Sequence, residues 1–178
     1  MGMIIFLAMG CVAHRLERSE PRFESLPYQA LVTFCCFVDS APLAVSPVEV
    51  WDGSKYLGRV RGPAVIQHLF TPGKHILMFF AGGKWSGIRA ELKRGQHYVI
   101  SLSTMRDGNG QPKFCAVPVK RGEKGCDIAW LYRLLSSGNV FCFVTPTKPP
   151  KPAPPPRLIE EIEAARMICP VLHPDMSF

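Results

Sequence analysis

Along most of the chain the apolar positions recur at short period and break off at glycine or proline, the pattern of strands and tight turns rather than of long helices. "ALVTFCCFV", from Ala30, opens the series. "VEVW", the turn "DGSK" and "YLGRV" then predict a hairpin, with Asp52-Gly53 supplying its turn chemistry. "AVIQHLF" follows Gly62-Pro63, and "TPGK" leads into "HILMFFA". Thr71-Pro72-Gly73-Lys74 suits a type II turn, because proline presets φ at the second place and glycine accepts positive φ at the third. "SGIRAEL", the turn "KRGQ", "HYVISLS", the turn "RDGNGQP", "KFCAVPV" and "VFCFVTP" continue in the same manner. In "HYVISLS", Tyr98, Ile100 and Leu102 share one face while His97, Ser101 and Ser103 share the other, as in a half-buried strand. "HILMFF" is apolar on both faces and is expected in mid-sheet, covered on both sides. Its cover is expected from "CDIAWLYRLLSSGN", a helix with Asp127 as N-cap, Ile128, Leu131, Leu134 and Leu135 on one face, and Gly138 as stop. The expected fold is mainly β, an antiparallel β-sandwich over residues 29–145 with one covering helix.

Both ends of the chain leave this pattern. The apolar run from Met3 to Met9 is far shorter than the ~20 residues of a membrane-spanning helix, yet it fits the ~7–15 residue core of a signal peptide. Ala8 and Gly10 precede Cys11, and this resembles the lipobox of bacterial lipoproteins, in which the cysteine is acylated and becomes the mature N-terminus. Residues 1–11 then form the signal, and the polar residues 12–28 a tether; the alternative is an N-terminal strand or apolar arm. At the other end "TPTKPPKPAPPPR" favours polyproline II, so residues 146–157 make a stiff linker on the order of 40 Å long. Residues 158–178 follow as an amphipathic helix and tail. Leu158, Ile159, Ile162, Ala165 and Ile168 alternate with acids before Pro170, and a helix this short is marginal alone. It is expected to dock on the body, on a second copy, or on another envelope protein.

Charge sharpens this division. The formal net charge of +7 is uneven: Trp51 to Gly125 carries thirteen basic residues against four acidic ones, whereas Leu158 to Phe178 has one against four. The body would attract anionic partners such as phospholipid headgroups, acidic glycans or nucleic acid. Seven cysteines contain no Cys-x-x-Cys, so neither a zinc ribbon nor a thioredoxin-type site has support. In "FCCF", Cys35 and Cys36 must face opposite sides of a strand. With Cys11 acylated, Cys35, Cys36, Cys115, Cys126, Cys142 and Cys169 remain, and their pairing is open.

From Val48 to Leu102 the order "VEVWDGSKYLG … FTPGKHILMFF … AELKRGQHYVISL" resembles the PEGA-like β-domains, and related domains of unknown function, of bacterial lipoproteins. The resemblance covers about a third of the chain and rests mainly on turn-forming residues. It implies a PEGA-like or transthyretin-like sandwich on the periplasmic face of a bacterial membrane, binding other envelope components without a catalytic set. "AGGKWSG" stands where such domains often continue with Pro-Gly-Tyr.

The chemistry-bearing residues fit that expectation. His68 shares a strand face with Ile66 and Phe70, as a core histidine would, while His75 and His97 each start a strand beside a turn and suit the surface. A metal site would require His68, His75 and His97 to converge, and nucleophilic catalysis would require Cys115 beside one of them. No catalytic residue, metal or cofactor is therefore assigned. "GGKWSG" lacks phosphate-loop spacing and "DGNGQP" has too few acids for a calcium loop. Trp85 with Lys84, and Lys74, are the candidate contacts for an envelope protein or glycan. The rival classes are an envelope enzyme using Cys/His chemistry and a cytoplasmic basic nucleic-acid-binding protein; no recognisable nucleic-acid module is present, so no nucleic acid is expected.

Overall fold

The computed structural model describes residues 16–36, 47–60, 64–106, 108–110, 112–123, 126–136, 140–143, 153–164 and 170–178. Among them the strands are β1 (Leu16–Arg18), β2 (Ala30–Cys36), β3 (Val48–Asp52), β4 (Lys55–Val60), β5 (Ala64–Phe70), β6 (Gly73–Ala81), β7 (Lys84–Leu92), β8 (His97–Arg106), β9 (Pro112–Val119), β10 (Val140–Phe143) and β11 (Val171–Leu172). Helix α1 is Ile128–Leu135 and helix α2 is Pro156–Glu163. The strands form two sheets, one ordered β1-β10-β5-β2-β8-β9 and the other β11-β7-β6-β3-β4.

Side-chain parity explains why the sheets pack face to face. Ala30, Val32, Phe34 and Cys36 of β2, Tyr98, Ile100 and Leu102 of β8, and Leu77, Phe79 and Ala81 of β6 meet in one buried core. Phe34 and Phe79 touch edge to face across it, with ring centroids 6.2 Å apart. Truncating either to alanine would cost on the order of 3–5 kcal/mol. The turns follow glycine chemistry where it matters. Gly82 and Gly83, with φ of 57° and 77°, close the β6–β7 hairpin in two residues, as a type I′ turn requires.

Part of each outer face is covered by a helix of the chain itself. Asp127 caps α1 by accepting the Trp130 N–H at 2.7 Å, and Leu131 and Leu135 pack with Cys35, Val65 and Val99 outside the six-stranded sheet. On the other side, Ile162 of α2 is buried with Trp51, Tyr56 and Met78. The seat for α2 is Gly87, where a Cβ would lie 2.6 Å from Ile162 Cδ1 and 3.1 Å from Met78 Sδ. A Cβ there would force the Ile162 side chain to shift.

Several expectations change. The sheets are mixed rather than antiparallel: β2 runs parallel to β8, β10 to β5, and β11 to β7. The cause is topological, since β2 and β8 are separated in sequence by the β3–β4 and β6–β7 hairpins of the other sheet. Helix α1 does not cover "HILMFF", which lies between the core and α2; α2 docks on the body, one of the three sites expected for it. Ile128, expected on the buried face of α1, is 40% exposed. The tether is in part folded, because β1 pairs with β10 and residues 22 and 23 are bonded to the six-stranded sheet. Cys11, and most of the linker, lie outside the described residues.

Candidate functional site

His97 sits at the start of β8 with only 2% of its surface exposed, contrary to the expected surface position. Its Nδ1 is 3.1 Å from the Phe23 carbonyl, which only accepts, so Nδ1 carries the proton. Nε2 is then the acceptor for the Thr33 hydroxyl at 2.7 Å. Gln67 completes the network: its amide donates to Thr33 Oγ1 at 3.1 Å and to the Arg22 carbonyl at 2.7 Å, while its Oε1 accepts the Arg22 N–H at 2.7 Å. Burial lowers the His97 pKa to about 4, only partly opposed by the Phe23 carbonyl, so the ring is neutral. The C-terminal Phe178 N–H also bonds the His97 carbonyl at 2.8 Å.

His75 is used in the opposite state. Nδ1 lies 3.0 and 3.1 Å from the two Asp52 oxygens, and Nε2 lies 2.8 Å from the Thr71 carbonyl. Both partners only accept, so both ring nitrogens donate and the ring is an imidazolium. The hydrogen bond to Asp52 raises its pKa, against a smaller lowering by burial. His68 is half-buried on the inner face of β5 as expected, edge-on to Phe70 at 4.9 Å. Burial first and the Lys55 charge second lower its pKa to about 4. Phe70 also touches His75, with centroids 5.3 Å apart. His68 and His75 thus flank one phenylalanine at the rim of the core, while His97 stands on the outer face of the six-stranded sheet. No group of three His, Cys, Asp or Glu among the described residues could hold a metal ion.

The residues proposed for a partner contact do not make one surface. Lys74 and Lys84 sit at opposite ends of the β6–β7 ladder, paired with Glu91 and Ala81 respectively. Trp85 is half-buried rather than an exposed contact; it packs against Phe80 at 4.9 Å and Trp51 at 6.1 Å beneath α2. Beside this aromatic group Glu49, 5% exposed, accepts from Arg59 Nη2 at 2.7 Å. Lys74, by contrast, lines a cleft of about 400 Å³ with Arg89, Glu91, Glu163 and His173.

Cys35 and Cys36 occupy opposite faces of β2, as parity demands, and all five described cysteines are free. Desolvation raises the pKa of Cys35 and of Cys36, which keeps both as thiols. The Thr33–Gln67–His97 network went unread in the sequence. Its signal was there: Thr33 in "ALVTFCC" and Gln67 in "AVIQHLF" are lone polar residues in apolar runs, a pairing that only strand register reveals. Fold and geometry together define a mainly-β, two-sheet protein with one helix packed on part of each outer face. Comparison with protein-family models finds no match, and comparison with curated proteins finds none at a significant level.

Proposed function

We propose that the chain is a non-catalytic protein of the bacterial cell envelope: a PEGA-like β-sandwich, held to the periplasmic face of a membrane through acylated Cys11, that binds or scaffolds other envelope components. The observation that supports its non-catalytic part is how the histidine nitrogens are spent. Both nitrogens of His75 and both of His97 are committed to hydrogen bonds within the fold, leaving neither ring a site for a substrate proton. With a helix of the chain packed on part of each outer sheet face, the turns and rims are the sites this reading gives to partner binding.

Metabolic labelling with a palmitate analogue tests the anchor. The wild type is expected to take up label and Cys11→Ala to lose it. Absence of label from both would overturn the anchor.

A further inference from the structure

The strand directions bring the β3–β4 hairpin, the β5–β6 and β7–β8 turns, and the segments before β2 and after β9 to one end of the body. Exposed cations follow one another across that end: Lys55, Lys74, Lys93, Arg94, Lys120 and Arg121. Of the acids there, Asp52 is held by His75, Asp175 lies 3.9 Å from Lys120, and Glu91 and Glu163 share the Lys74 cleft with Arg89, while Glu24 and Glu123 are exposed. Between the cations stands an apolar wedge, Leu26-Pro27-Tyr28. Leu26 is 43% exposed and Tyr28 80%, the most exposed large apolar side chain among the described residues.

Hydrogen bonds tie the wedge to the fold. The Gln29 N–H bonds the Leu26 carbonyl at 3.0 Å, and the Ser25 hydroxyl donates to the Gln29 carbonyl at 2.6 Å. That same carbonyl accepts the Gly95 N–H at 2.7 Å, which ties the wedge to the turn carrying Lys93 and Arg94. The chain also enters the fold from this side: Leu16 pairs with Phe143, the last residue of β10. Cys11 is five residues earlier, a reach of at most about 18 Å for extended chain.

We infer that this end is a membrane-docking surface, its cations meeting anionic phospholipid headgroups and Leu26 and Tyr28 entering the interfacial layer. Lysine and arginine gain from an anionic surface only within about a Debye length, so a row at one end acts where a scattered charge would not. Tyrosine, with an apolar ring and a polar tip, suits the headgroup region. A nucleic acid would use the cations but has no apolar layer to receive Leu26 and Pro27. The orientation builds on the Cys11 anchor reading, but the surface itself is open to test without the anchor.

The test uses the full chain carrying Cys11→Ser and vesicles of phosphatidylglycerol and phosphatidylethanolamine in equal parts, against phosphatidylcholine vesicles. Flotation is expected with the anionic vesicles and not with phosphatidylcholine. Lys93→Glu with Arg94→Glu should weaken binding by about 25-fold or more, at about fivefold per cation. Tyr28→Ser should weaken it further, and Lys84→Glu, at the opposite end, should leave it unchanged. Equal loss in the Lys84→Glu variant, no flotation of the unacylated chain, or retention on duplex DNA lost in step with lipid binding would each overturn the inference. The two readings separate cleanly: label at Cys11 without anionic preference keeps the anchor and removes the docking surface, and the reverse result removes only the anchor.

Discussion

His75 and His97 begin their strands in nearly the same local setting and finish in opposite charge states. Each is the second residue after a turn glycine of positive φ, Gly73 at 139° and Gly95 at 72°. Each bonds a side chain diagonally across a strand pair: Asp52, whose register partner is Leu77, and Thr33, whose partner is Val99. The difference lies in the diagonal residue and in what covers it. A carboxylate at the rim makes His75 a cation that clasps the β5–β6 turn. Burial beside Phe23 and Phe178, with only a hydroxyl across the strand pair, makes His97 a neutral relay between strands and the N-terminal segment. Histidine type and turn context carry no information about this choice; the cross-strand neighbour decides it for His75 and burial decides it for His97.

Breaking the buried side of this pair should have the largest effect. His97→Ala strands Thr33 and the Phe23 carbonyl and leaves a void, so it should cost about 3 kcal/mol, read from urea or thermal unfolding. A cost below about 1 kcal/mol would mean that water replaces the ring without penalty.

Acid should reach the same group with a somewhat smaller effect. The folded pKa of His97 is about 4 and the unfolded value about 6.5, so the unfolded chain binds the extra proton first. Stability is therefore fully present above pH ~6.5, falls as pH drops toward 4, and levels below that. The loss for His97 is on the order of 2–3 kcal/mol, and His68, also lowered to about 4, adds in the same direction. His97→Gln keeps a donor and an acceptor but does not titrate. It should flatten the stability profile between pH 6.5 and 4, and an unchanged slope would show that another group dominates the window.

The contrast also explains which parts of the molecule the sequence discloses. Features that depend on neighbours along the chain were legible: the Asp52-Gly53 hairpin, the opposite faces of Cys35 and Cys36, the Asp127 cap, and the inward row Tyr98, Ile100, Leu102. Features that depend on which strand lies alongside were not. The parallel β2–β8 pairing, the folding-in of residues 16–23, and the burial of His97 all arise from contacts distant in sequence, such as Thr33 with His97. Trp85 illustrates the same limit, since its glycine-flanked setting looks open until Trp51, Phe80 and α2 are brought over it.

The rim histidine supplies the smallest effect and the opposite sign. Its folded pKa is raised above the unfolded value by Asp52, so its contribution is fully present below pH ~6.5 and disappears as pH rises through the folded pKa. Asp52→Asn keeps the shape, removes the charge, and should cost about 1 kcal/mol at pH 6, shrinking toward zero at alkaline pH, where the wild-type ring is itself neutral. The ring resonances of His75 should titrate at lower pH in the variant than in the wild type, while those of His97 stay where they are. A His75 titration that ignores the loss of the Asp52 charge would mean that the Thr71 carbonyl alone holds the proton, and that the two histidines differ by burial and not by the residue set diagonally across the sheet.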